Sequence, residues 1–272
     1  MKTAEKQITE TVQESESPVL EEQENGIVRL TLNRPEQFNS LSEAMLATLQ
    51  EKIDAIAENK AAKLVILQGA GKAFCAGHDL KEMIEKREET YYKSLFQQCS
   101  RMMMTLNKIP QPVIARVHGI ATAAGCQLVG ACDLAVASED ARFATSGINV
   151  GLFCSTPSVP VSRNIPRKQA MELLLTGEFI DANTALKWGL INRIAPREKL
   201  DEEVQKLADA ILSKSSVAVF TGKKMFYKQL EKNMEDAYAF AGEIMACNMM
   251  AEDVNEGIDA FVKKRTAVWK GR

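Results

Sequence analysis

Three short apolar runs, Leu64-Val65-Ile66-Leu67, Val113-Ile114-Ala115-Arg116-Val117 and Leu134-Ala135-Val136-Ala137, constrain the fold more than any other feature of the chain. A strand with water on one face alternates polar and apolar residues, whereas one covered on both faces does not. Between the runs, residues 91–107 and 124–131 carry the spacing of helices. Strands alternating with helices predict an α/β layered fold with a largely parallel sheet. Upstream, the turn signal Asn25-Gly26 introduces a strand over 27–32, which Asn33-Arg34-Pro35 ends. Ser42 then caps a helix over 43–58, with Met45, Leu46, Leu49, Ile53 and Ile56 along one face.

Beyond about residue 167 the strand signal fades. Helical periodicity covers 167–175, 182–188, 201–213 and 217–232, and two further helices are expected over 236–250 and 255–264. This portion is rich in methionine (225, 234, 245, 249, 250) and carries Phe220, Phe226, Phe240 and Phe261. Two readings suit that composition: a core among the helices, or apolar surface packed on a second subunit.

Residues 1–24 are polar and nearly free of aromatics, so they are expected to form a disordered tail. They lack the apolar stretch of a secretory signal and are too acidic for a typical mitochondrial presequence. A cytoplasmic location is expected first, with the mitochondrial matrix after presequence removal as the alternative.

Several function classes fall away. A net charge of -2 over 272 residues provides no concentrated basic face for nucleic acid. The apolar stretches are too short to span a membrane. The six cysteines form no CxxC pair, and His78 and His118 are the only histidines, so no metal site is expected.

Two segments containing glycine carry the chemistry: 74–80 (Phe-Cys-Ala-Gly-His-Asp-Leu) and 119–127 (Gly-Ile-Ala-Thr-Ala-Ala-Gly-Cys-Gln). Each places small residues where a strand ends and a helix begins, leaving backbone N–H groups open to a close-fitting ligand. Two such turns converging on one carbonyl oxygen would form an oxyanion hole. Position 127 is Gln, where a carboxylate would serve as acid or base. Asp79 suits a helix cap better than a proton carrier.

In this order and spacing, a set of motifs resembles the enoyl-CoA hydratase/isomerase (crotonase) family over nearly the whole ordered chain. The motifs lie at 32–35 with 39–41, at 71–82 and 112–115, then at 124–128 with Cys132-Asp133 and at 141–143. Segments 175–178, 185–190 and 260–265 complete the set. Segments 76–79, 125–128 and 149–157 point to one branch of that family.

The resemblance implies a crotonase-like spiral of ββα units over 25–205, and a C-terminal helical region over 206–272 that drives formation of a homotrimer or homohexamer. It implies an acyl-CoA thioester as ligand, with coenzyme A part of that ligand and no cofactor required. The N–H groups of His78 and Ala124 would hold the thioester oxygen. Backbone around Ala76, Asp79 and Leu80 would hold the adenine and pantetheine, and Phe261 and Lys264 would reach the nucleotide, often from a neighbouring subunit. A solvated basic helix end with one core Phe is the other reading of that pair. Hydratases of the family use two glutamates to handle water; here the first falls on Gln127 and the second on Gly147. Standard hydratase activity is therefore expected to be weak. Three outcomes stay open: a lyase or isomerase of fatty acid metabolism with a relocated base (Glu82, His78 or Cys154) or a bound anion, decarboxylation of a malonyl-type CoA ester, or acyl-CoA binding without turnover.

Overall fold

The computed structural model describes residues 17–272. Two sheets are built by strands that enter them in turn. The larger holds six strands in the order β1(Val19–Glu24), β2(Ile27–Leu32), β3(Leu64–Gly69), β5(Val113–Val117), β7(Leu134–Ser138), β10(Arg193–Ala195). Its pairings are parallel except β1 with β2. The smaller sheet runs β4(Ala73–Cys75), β6(Ile120–Thr122), β8(Arg142–Ala144), β9(Ile180–Asp181). Thus β3 and β4, β5 and β6, and β7 and β8 are successive pairs, each giving one strand to each sheet. Helices follow the pairs, which makes a spiral of ββα turns: an α/β fold, as expected.

The helices in chain order are α1(Glu43–Glu58), α2(Leu80–Glu85), α3(Glu89–Lys108), α4(Ala124–Ala131), α5(Ser155–Asn164), α6(Arg167–Thr176), α7(Ala182–Trp188), α8(Leu200–Leu212), α9(Ser216–Gln229), α10(Met234–Met249) and α11(Glu252–Val262). The Ser42 hydroxyl caps α1 by accepting from Met45 N, and the five apolar residues expected on its inner face are buried.

Strand β3 explains why its run does not alternate. Val65 and Leu67 face the main core with Leu30, Phe74, Val113 and Ala115, while Leu64 and Ile66 face a second core. There Ile27, Ile114 and Val136 meet Leu200, Val204 and Ala208 of α8. Burial of a side chain such as Leu or Ile contributes about 1.5–3 kcal/mol, so a strand covered on both sides is fixed by both layers.

Two expectations need correction. Order begins before Asn25: Val19–Glu24 pairs antiparallel with β2 along its whole length, and Asn33 N donates to Pro18 O. Ladder hydrogen bonds are indifferent to side-chain polarity, so an edge strand with Glu at 21, 22 and 24 still forms. Residues 1–16 lie outside the described part. The boundary expected between 205 and 206 falls inside α8, which seals the second core and so belongs to the spiral.

The C-terminal helices are held by a buried polar knot. Lys223 Nζ on α9 lies 2.7 Å from Asp133 Oδ2 and donates to the carbonyls of Leu106 and Gln111. Tyr227 donates to Asp133 Oδ1 at 2.8 Å, and Val113 N donates to Oδ2. Beyond that anchor, neither α9 nor α10 has a buried residue, and Phe226, Met234, Tyr238, Met245 and Met250 are exposed. No helix among the described residues is long and apolar enough to cross a membrane.

Candidate functional site

The two small-residue turns lie against each other. The first follows β4 and reaches Gly77, whose φ of +100° lies in the region that L side chains rarely adopt. A Cβ there would stand 2.9 Å from the Ala123 Cβ and 3.3 Å from Ala124 N. The second turn leaves β6 through Ala123, which itself holds a positive φ of 51° with ψ −119°. A non-glycine residue in a sparsely populated region costs of order 1–3 kcal/mol, and surrounding structure must fix it. Here Ala123 N donates to Ala144 O at 3.0 Å, and Ala123 O accepts from Gln127 N at 3.1 Å.

Helix α4 opens immediately afterwards, with Ala124 as its first residue and no side chain capping it. An N–H in the first turn has no acceptor within its own helix, and the helix dipole favours negative charge there. The helix crosses β4 so closely that a Cβ on Gly125 would fall 2.0 Å from Cys75 O. The arrangement can therefore present backbone donors from two chain segments to one small, electron-rich atom.

Asp79 sets the far side of the first turn. Its Oδ1 accepts from Lys81 N and Glu82 N, capping α2, and its Oδ2 pairs with Arg34 at 3.0 Å and accepts from Ser40 Oγ. Partial burial pushes its pKa up, but the Arg34 guanidinium and the helix N–H groups outweigh this and hold it below the ordinary carboxylate value. Leu41 N donates to Gly77 O and Leu41 O accepts from Asp79 N, so the segment before α1 braces the turn. Ala76 is half-buried and Leu80 exposed beside it. The imidazole of His78 packs edge-on against Phe96, with ring centroids 5.5 Å apart. Burial lowers its pKa and so favours the neutral ring, the Leu41 backbone opposing this only in part, and neither ring nitrogen has a well-formed hydrogen bond.

Gln127 lies one turn into α4, 3% exposed, with Oε1 buried and unpartnered. Gly147 sits in the segment after β8, where a Cβ would fall 2.6 Å from Leu152 O and 2.8 Å from Cys154 Sγ. The buried thiol of Cys154 thus fills the space that a side chain at 147 would enter, and burial pushes its pKa up. The segment is tied to the second turn by Thr122 Oγ1 and Ser146 Oγ, 2.7 Å apart.

A family model described as enoyl-CoA hydratase/isomerase matches residues 22–272. The chain belongs to the enoyl-CoA hydratase/isomerase family. A relative from Rattus norvegicus, the mitochondrial enoyl-CoA hydratase domain-containing protein 3, is 47% identical over 247 residues, covering 91% of this chain and 82% of its own length. The crystal structure of the human protein of that name superimposes with a TM-score of 0.90 at 46% identity, over 93% of this chain and all of its own. An enoyl-CoA hydratase from Mycobacterium smegmatis gives a TM-score of 0.92 at 54% identity, covering 93% and 99% of the two chains. The branch indicated by segments 76–79, 125–128 and 149–157 is the one represented by the rat and human proteins.

Within this family fold, the structure brings together Ala76, His78, Asp79, Leu80 and Ala124. It sets Phe261 and Lys264 apart, near and just beyond the end of α11. Phe261 is 83% exposed at the end of α11, and Lys264 follows with a left-handed φ of 52°. In that region Arg265 pairs with Glu256 and Asp259, and Asp253 accepts from Ser215, Lys270 and Gly271. Of the alternative bases, Glu82 is committed to another task, since its Oε2 accepts from Glu43 N at the start of α1. Sequence reasoning missed the Thr122–Ser146 pair and the contact of Gly77 with Ala123. A glycine between a short strand and a helix signals the second; nothing in the sequence signals the first.

Proposed function

We propose that the protein binds an acyl-CoA thioester with its carbonyl oxygen between the N–H groups of His78 and Ala124, and stabilises the enolate formed from it. The packing of Gly77 on Ala123 carries this reading, because it draws the two turns within van der Waals contact. An enolate concentrates charge on the oxygen, so donors fixed in place stabilise it more than they stabilise the neutral carbonyl. Each such donor is worth about 3–4 kcal/mol of transition-state stabilisation. Backbone at Ala76, Asp79 and Leu80 would carry the pantetheine and adenine.

Proton transfer is the weak part. Family hydratases place glutamates where this chain has Gln127 and Gly147, and a Gln amide cannot take up a proton near neutral pH. Enoyl-CoA hydration, the lyase activity of the family, is proposed to be slow. A second reading, loss of CO2 from a malonyl-type ester, is favoured by the same two residues, since it creates the enolate without a base. The exposed apolar residues of α9 and α10 favour assembly of copies into a trimer or a dimer of trimers, with Phe261 and Lys264 offered to a neighbour's nucleotide. The mitochondrial designation of the animal relatives favours the mitochondrion over the cytoplasm.

The deciding experiment incubates purified protein with crotonyl-CoA, a 3-enoyl-CoA and methylmalonyl-CoA and follows products by mass spectrometry with chromatography. Gain of water supports hydration, loss of CO2 supports decarboxylation, and a shifted retention time at equal mass supports isomerisation. Thermal stabilisation by acyl-CoA without any product would identify a binding protein, and no stabilisation by any acyl-CoA would refute the proposal.

A further inference from the structure

Three neighbouring strands change character toward their C-terminal ends. On the face of the large sheet that α8 covers, Ile27, Ile66 and Ile114 belong to the second core. Two residues further along each strand, the same face carries Arg29, Gln68 and Arg116. These three, with Gly69 and with Asp201 in the first turn of α8, line an open cleft of about 330 Å³. A pocket of roughly 300 Å³ or more has room for a small organic ligand. The chain around the Gly77 and Ala123 turns (Cys75, Ala121, Ala124) packs in the main core with Val65 and Leu67, on the other face of β3. The cleft is therefore separate from the acyl-CoA reading and independent of it.

The Arg116 side chain is only 16% exposed, and its Nε and Nη2 clasp the two carboxylate oxygens of Asp201, which is 74% exposed. An ion pair with one partner in water contributes little and exchanges readily. The bond to Arg116 holds the Asp201 pKa below the ordinary aspartate range; desolvation opposes this, and the charge of Arg29 adds to the pull. The hydrogen bond of Arg29 itself goes to a neutral group, Gln205 Oε1, at 3.2 Å. The other carboxylates in the first turn of α8 have cations of their own: Lys206 for Glu202, and Arg193 and Lys206 for Glu203. The lining thus carries two guanidiniums and one carboxylate.

We infer that the cleft is a binding site for the phosphate dianion, free or as the phosphate monoester of a small molecule, and that Asp201 is a resident carboxylate which this ligand displaces. Two guanidiniums match a dianion once Asp201 turns out into water. The planar fork of Arg116, which now holds a carboxylate through two nitrogens, can hold two phosphate oxygens in the same way. A monocarboxylate would only exchange for Asp201, with no gain in charge pairing.

Melting curves of the intact protein in inorganic phosphate, glycerol 3-phosphate, acetate and chloride test this, at constant ionic strength and at slightly alkaline pH, where phosphate is dianionic. Both phosphates should stabilise the protein in a saturable way, and acetate and chloride should not. In Asp201→Asn the phosphate dissociation constant should fall about two- to fivefold, since no carboxylate has to leave. In Arg29→Gln and Arg116→Gln it should rise about tenfold or more. A pair that serves only to hold α8 gives a different result for Asp201→Asn: lower stability with an unchanged phosphate response. Arg29 is half-buried on its strand, so Arg29→Gln keeps the test decisive even where Arg116→Gln fails to fold. A larger effect of glycerol 3-phosphate than of inorganic phosphate would assign the rest of the cleft to the organic part, and equal effects would assign the site to the phosphate group alone. Coincident phosphate and chloride curves would overturn the inference. So would a phosphate effect that survives Arg29→Gln, or one that Asp201→Asn leaves unchanged or weakens.

Discussion

Gly77 and Ala123 belong to different ββα turns, and a Cβ on Gly77 would stand only 2.9 Å from the Cβ of Ala123. The segments carrying His78 and Ala124, 46 residues apart in sequence, lie against each other because a glycine precedes one and a small residue precedes the other.

Gly77→Ala follows directly. The new methyl meets Ala123 while the backbone is held at φ +100°, so a stability loss of about 1–2 kcal/mol is expected from the backbone alone. Pushing the turns apart takes one donor out of line, and acyl-CoA affinity should fall about tenfold. Urea unfolding and isothermal titration on the same preparation check the two effects. Unchanged affinity would separate the Gly77 contact from ligand binding.

Restoring carboxylates at 127 and 147 should have unequal results. Gln127→Glu is nearly isosteric and should fold, its buried carboxyl titrating above the ordinary value because burial disfavours the charge. Gly147→Glu drives a side chain into Leu152 O and Cys154 Sγ, and a loss of about 1–3 kcal/mol is expected. Adding Cys154→Ala relieves the thiol but not the backbone carbonyl, so recovery should be partial. Melting temperatures of the three variants order these outcomes, and crotonyl-CoA turnover then shows whether Gln127→Glu alone raises hydration.

How far the sequence carries depends on element length. Helices 43–58 and 124–131 were readable to the residue because an apolar stripe or a run of small residues is bounded by a cap or turn. The strands at 73–75, 120–122, 142–144 and 180–181 are two or three residues long, too short for any period, and exist because distant partners complete them. Helix 155–164 was hidden by Pro157 and Pro160, residues that ordinarily argue against a helix. At the site, both turns and the capping role of Asp79 were legible locally. The contact between Gly77 and Ala123 was not, nor was the Cys154 thiol beside Gly147, since each depends on where separate turns of the spiral meet.

Asp79 gives a pH dependence with a definite sign. Its folded pKa lies below the ordinary aspartate value, so the unfolded chain binds a proton more readily than the folded one. Its contribution is fully present above that unfolded value and is lost as pH falls through the folded one, freeing the α2 cap and Arg34 together. Denaturant unfolding between pH 2 and pH 6 should therefore steepen toward acid in the native protein. Asp79→Asn, which keeps a cap but not the charge, should flatten that slope. An identical slope in the variant would assign the acid sensitivity to other carboxylates.

The knot beneath α9 yields the largest expected loss. Lys223 is 6% exposed and Asp133 13%, and burial pushes the lysine pKa down and the aspartate pKa up while their mutual attraction opposes both shifts. Replacing the lysine alone leaves a carboxylate enclosed with only Tyr227 O–H and Val113 N–H as donors. Lys223→Met should cost about 3–5 kcal/mol, the penalty of an uncompensated buried charge. Lys223→Met combined with Asp133→Asn should cost less than Lys223→Met alone, because the second change removes the stranded charge and leaves an amide that still bonds the tyrosine. Equilibrium unfolding of both variants decides it: a double variant no more stable than the single would mean that the pair contributes through the carbonyls of Leu106 and Gln111 instead of through Asp133.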